Sequence, residues 1–65
     1  MFRTFTRTWW THNPAWPDGR EPGAGPKEYT GDEYDTENEA RAACRAYNTT
    51  HDPGPLSLKM EYESA

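Results

Sequence analysis

The sequence predicts one small α+β domain: a three-stranded antiparallel sheet with a single helix packed on one face. Three observations carry this. A capping box opens an amphipathic stretch at Thr36–Glu39. Residues 56–63 alternate between apolar and polar. Residues 2–10, FRTFTRTWW, contain only β-branched, aromatic and arginine side chains. These are the marks of a helix, a half-buried strand and a further strand.

Residues 2–10 form the first predicted strand. Phe2, Thr4, Thr6, Thr8 and Trp10 share one parity; Arg3, Phe5, Arg7 and Trp9 share the other. Burying two unpaired guanidiniums is costly, so the arginine face is expected to point outward, leaving Phe5 and Trp9 partly exposed. Residues 11–26 hold four prolines and three glycines. They read as a long irregular connection, with Trp16 expected to pin it to the body. Pro14-Ala-Trp-Pro17 has polyproline-ligand spacing, but the motif is weak and an ordinary stiff loop is the better explanation.

Residues 27–35 form the second strand. Tyr29 and Tyr34 have opposite parity, and a bulge at Gly31 is expected to bring both inward. The same bulge would set Glu28, Glu33 and Asp35 on one outward side. In the helix, Thr36 is the expected N-cap and Glu39 its reciprocal partner. Glu37 and Glu39 suit the positive end of the helix dipole, and Glu37–Arg41 is a favourable pair one turn apart. Ala40, Ala43, Cys44 and Tyr47 fall on one face. The helix should end at Asn48 or shortly after, because Pro53-Gly54-Pro55 forbids continuation. In the last strand Leu56, Leu58, Met60 and Tyr62 face inward.

A helix returning the chain sets the third predicted strand parallel to the second. Placing the first strand between them makes every adjacent pair antiparallel, which gives the order 2-1-3.

Composition limits the function. With 65 residues this is a single domain, 1–65, and one that buries only about 60% of its unfolded surface. Cys44 is the only cysteine, so no internal disulfide can form, which fits a reducing cytoplasm. The apolar share is 32% and the aromatic share 14%, so a few rings must supply much of the core. No secretory or membrane segment is expected. Asn48-Thr49-Thr50 matches a glycosylation sequon, which has no meaning without export.

Catalysis is not expected. Cys44 lies on the small apolar helix face, and His12 and His51 are expected in loops. Neither a zinc spacing nor a phosphate loop is present. We therefore expect no cofactor, no metal and no enzymatic activity.

Charge points to a partner. Residues 1–27 carry a net +2 and residues 28–65 a net −6, giving −4 for the chain. Glu28, Asp32, Glu33, Asp35, Glu37 and Glu39 follow one another with no base between them. Glu61 and Glu63 add to them on the last strand. A solvated acidic edge that aids solubility is the plain interpretation. The alternative is a surface that imitates the phosphates of a nucleic acid and occupies the basic site of a nucleic-acid-binding protein. Trp9 and Trp16 could anchor such a contact. Arg3, Arg7 and Trp9 could instead touch nucleic acid directly, but flanking acids are expected to pair with the arginines and penalise phosphate.

The segments TRTWWTHNPAWPDGREPGAG and DTENEARAACRAYNTTHDPGPLS resemble small bacteriophage and prophage proteins. Size, acidity and element order also resemble the small acidic anti-CRISPR proteins, in particular inhibitors of type I-C Cascade. The resemblance implies an inhibitor that acts as a DNA mimic on a Cas subunit; a monomer in the cytoplasm of a bacterial cell is expected. It carries no diagnostic motif and assigns no residue. Its rival is a phage accessory or structural protein whose acidity serves solubility alone.

Overall fold

The computed structural model describes residues 1–65. Six elements follow one another: β1 (Phe2–Thr8), β2 (Trp10–His12), β3 (Arg20–Pro22), β4 (Glu28–Tyr34), α1 (Glu37–Thr50) and β5 (Leu58–Ser64). β4, β1 and β5 form one antiparallel sheet in the order β4-β1-β5, with α1 on one face. This is the predicted α+β architecture, with the first strand central.

The helix begins as its sequence dictates. The Thr36 hydroxyl accepts from the Glu39 N–H at 3.2 Å and donates to the Glu39 carboxylate at 3.1 Å. Capping thus satisfies one of the orphan amides at the helix start. Ala40 and Cys44 are buried against the sheet, with Ala43 and Tyr47 beside them half-buried. The helix runs to Thr50, and the His51 N–H donates to the Tyr47 carbonyl to close it.

Four expectations need correction. Residues 11–26 are not wholly irregular. β2 and β3 pair as a hairpin, with Trp10 opposite Pro22, Thr11 opposite Glu21 and His12 opposite Arg20. A two-stranded ribbon has two outer edges, so a proline is tolerated where its missing N–H would face solvent. Asn13 closes the turn by accepting from the Ala15 N–H at 3.0 Å through its side chain. His12 therefore lies in a strand, not a loop. Trp16, at the hairpin tip, is 43% exposed and does not pin the segment. The molecule is accordingly elongated, 43 × 22 × 15 Å. Its radius of gyration of 13.4 Å exceeds the about 11 Å of a compact chain this long.

The predicted first strand splits after Thr8. The Trp9 and Trp10 amides turn away to donate to the Leu56 carbonyl at 3.0 and 3.1 Å. On the far side Gly25 lies against Thr8, donating its N–H to the Thr8 carbonyl at 2.7 Å. A β-carbon at Gly25 would come within 2.5 Å of the Thr8 hydroxyl, so this approach calls for glycine.

The bulge in β4 differs from expectation. Arg3 and Phe5 pair with Glu33 and Tyr29, so two steps on β1 face four on β4. Gly31 sits inside the irregularity at φ +89°, where a side chain would be strained. Two extra residues preserve parity where one would have reversed it. Tyr29 therefore stays on the open face with Phe5, while Tyr34, opposite Phe2, lies on the helix face. Thr4, 1% exposed, is satisfied across this gap by the Thr30 hydroxyl at 2.6 Å.

Phe5 is the fourth correction. It lies on the face without a helix, yet is only 3% exposed. Tyr29 packs on it edge to face at 5.8 Å, and Lys27 and Arg7 stand over its ring at 4.8 and 5.6 Å. These side chains replace the absent second layer. Ring faces carry negative charge and hold cations in this way. Only Thr4, Phe5, Ala40 and Cys44 are fully buried, so this side-chain cover is a large part of the core. No helix is long and apolar enough to cross a membrane.

Candidate functional site

Two charged surfaces lie side by side, on the open sheet face and along the β4 edge. Arg3 and Arg7 project from β1 onto the open face, and β5 supplies their counter-charges. Glu63 accepts from Arg3 Nε and Nη2 at 2.9 and 2.6 Å and from Lys27 Nζ at 2.7 Å. Glu61 accepts from Arg7 Nε at 2.6 Å. These contacts, Lys27 first and Arg3 next, hold the Glu63 carboxyl down from the ordinary 4.5 to about 2. The guanidiniums also stack, Arg3 at 4.6 Å over Tyr29 and Arg7 at 4.4 Å over Trp9.

Glu61 and Glu63 therefore do not belong to a free acidic surface. They pair with Arg3, Arg7 and Lys27 on the open face, where Lys59, opposite Arg7, is left without a carboxylate. Trp9 is 40% exposed and bounds that face, while Trp16 lies apart at the hairpin tip.

The acids of 28–39 divide by element. Glu28 pairs with Thr6 and Glu33 with Arg3. Paired residues share a face. Thr6 and Arg3 have opposite parity, so Glu28 and Glu33 point to opposite sides of the sheet. The expected single outward line of Glu28, Glu33 and Asp35 does not form. Instead the acids collect along the edge that β4 presents, from both faces. Asp35 continues the edge into the turn before α1. Glu37 accepts from Arg41 at 2.7 Å and from the Tyr62 hydroxyl at 2.9 Å, so its charge is engaged. Glu39 is occupied at the cap.

Ion pairing thus separates the two surfaces. Glu28, Asp32, Glu33, Asp35 and Glu39 are exposed and have no cationic partner; Arg3, Arg7, Arg20, Lys27 and Arg41 each have a carboxylate. Arg45 and Lys59 are the cations left over. The bulge at Gly31 opens a shallow groove of about 170 Å³, lined by Arg3, Thr4, Tyr29, Gly31, Asp32 and Glu33.

Cys44 and His51 are tied into the fold, while His12 is exposed on β2. Burial pushes the Cys44 thiol up from its ordinary value, with the Glu61 charge adding to it. His51 stacks on Tyr47 at 3.9 Å, with Nδ1 at 3.0 Å from the Tyr47 carbonyl.

Sequence reasoning missed Asn48. Its side chain reaches from α1 to β5 and bonds both backbone groups of Met60. A polar residue one position beyond the Tyr47 end of the apolar face was the available signal. It also missed Lys27 and Tyr29 as cover for Phe5, because that contact depends on strand register. No family model matches the chain, and neither a curated protein nor a solved structure matches it.

Proposed function

We propose that this chain is a non-catalytic binding protein that sets edge strand β4 and the first turn of α1 against the positive surface of a nucleic-acid-handling protein, standing in for the nucleic acid. One observation carries the reading: five exposed carboxylates of residues 28–39 have no cationic partner, while Arg3, Arg7 and Lys27 on the adjoining sheet face are already paired. Unpaired surface charge of one sign produces fast, salt-sensitive association with a surface of the other sign. The resemblance to Cascade inhibitors makes a Cas subunit the first partner to test.

Direct nucleic-acid binding through Arg3, Arg7 and Trp9 has less support. A phosphate would have to displace Glu63 and Glu61 from both guanidiniums.

The test is capture from a bacterial lysate on the immobilised chain, followed by elution with duplex DNA. The reading predicts a basic nucleic-acid-binding protein that DNA releases and that Glu33→Lys/Asp35→Lys fails to retain. A captured protein indifferent to both DNA and the double reversal contradicts it.

A further inference from the structure

The sheet has two edges, β4 and β5, and they are not equivalent. In an antiparallel ladder, alternate residues turn their N–H and C=O groups to opposite sides. On β5 the outward set includes Leu58 and Met60. Asn48 Oδ1 accepts from the Met60 N–H at 2.8 Å, and its Nδ2 donates to the Met60 carbonyl at 3.1 Å. The Pro53 carbonyl accepts from the Leu58 N–H at 2.9 Å. One side chain and one turn therefore stand where a further strand would bond.

β4 has no such cover. Met60 faces away from β1, so its partner Thr6 turns its backbone groups towards β4, where Glu28 is paired with it. Tyr29 then turns its own groups outward. So does Glu33, which precedes the inward-turned Tyr34 paired with Phe2. Both are exposed, and no turn or loop backbone group bonds to them. An uncovered strand edge is a template for another strand.

Charge selects what pairs there. Two copies joined through β4 would gather Glu28, Asp32 and Glu33 of both along one ladder, and like charges crowded on neighbouring strands destabilise it. A strand bearing lysine or arginine meets the edge with the opposite sign. We infer that the outer edge of β4 is a docking edge for an extended basic segment of the partner, which joins the sheet as a fourth strand and pairs its backbone with Tyr29 and Glu33. This rests on the proposed function for the partner's charge and adds how the contact is made. The Gly31 bulge interrupts the edge, so the paired stretch is short.

The test uses two synthetic peptides of alternating lysine and threonine, the second N-methylated at every residue. Methylation removes the backbone donors and keeps the charge. Each is titrated into the isotope-labelled full chain, with amide exchange followed by nuclear magnetic resonance. The parent peptide is expected to bind and to slow exchange at Tyr29 and Glu33; the methylated one should bind about tenfold more weakly, as loss of one or two hydrogen bonds implies. Equal binding of the two, or no slowing at Tyr29 and Glu33, overturns the docking edge while the acidic surface remains a binding surface. Binding of neither also overturns it. The acidic reading is tested separately, by charge reversal against the protein partner.

Discussion

Asn48 and Met60 are joined twice, the carboxamide of one meeting both the N–H and the C=O of the other. The geometry is that of a neighbouring strand, reproduced by a side chain. It locks the end of α1 to β5 and covers that edge at Met60.

Asn48→Ala should therefore do two things. It should lower stability by about 1–2 kcal/mol, as two partly exposed hydrogen bonds imply. It should also expose the β5 edge, so that self-association appears with rising concentration. Denaturant unfolding and light scattering measure the two effects. A variant as stable and as monodisperse as the parent contradicts both.

Glu63 predicts a dependence on pH. Its folded value, about 2, lies below the ordinary 4.5, so the folded state favours the charged form. Stability from this group is fully present above about 4.5 and is lost as pH falls towards 2. Glu63→Gln should be less stable than the parent at neutral pH, and the two unfolding midpoints should converge on acidification. A gap that stays constant from neutral pH to 2 contradicts the assignment.

Thr36→Ala removes the acceptor that holds the Glu39 N–H. About 1 kcal/mol should be lost. Thr36→Asn, another good capping residue, should recover most of it. Unfolding midpoints provide the measure, and an unchanged Thr36→Ala midpoint contradicts the cap.

Cys44 is buried under α1 with its thiol held protonated. A thiol reagent should modify it slowly in the folded protein and rapidly in denaturant. Equal rates would mean that the helix face opens freely.

What the sequence revealed, and what it hid, follows from the range of the contacts. The helix was legible because Thr36, Glu39, Ala40 and Cys44 interact within one or two turns. The β4-β1-β5 order was legible because a single helix connection leaves few ways to pair three strands. Phe5 was misread because its cover comes from Lys27, Tyr29 and Arg7, two of them far along the chain and set by register. Tyr29 was misread because the bulge holds two extra residues, and parity cannot be known until the count is. The hairpin hid in residues 11–26 because proline and glycine signal turns without showing what pairs around them. For the acidic surface, charge singled out Glu28, Asp32, Glu33, Asp35 and Glu39, which are exposed and have no ion-pair partner. Pairing of flanking acids with Arg3 and Arg7 was legible as well, and Glu63 and Glu61 supply it; the further contact of Glu63 with Lys27 depends on strand register.

The central claim is that the uncompensated acids of β4 and the turn after it bind a positive surface. Its most direct measurement is the affinity of the captured partner for the parent chain and for Glu33→Lys/Asp35→Lys, across a series of salt concentrations. Both residues are exposed and have no ion-pair partner, so the double variant should fold as the parent does. The account predicts that the parent's affinity falls steeply as salt rises, and that reversal weakens binding at least about tenfold at low salt. Equal affinity of the two proteins, or binding indifferent to salt, would contradict it.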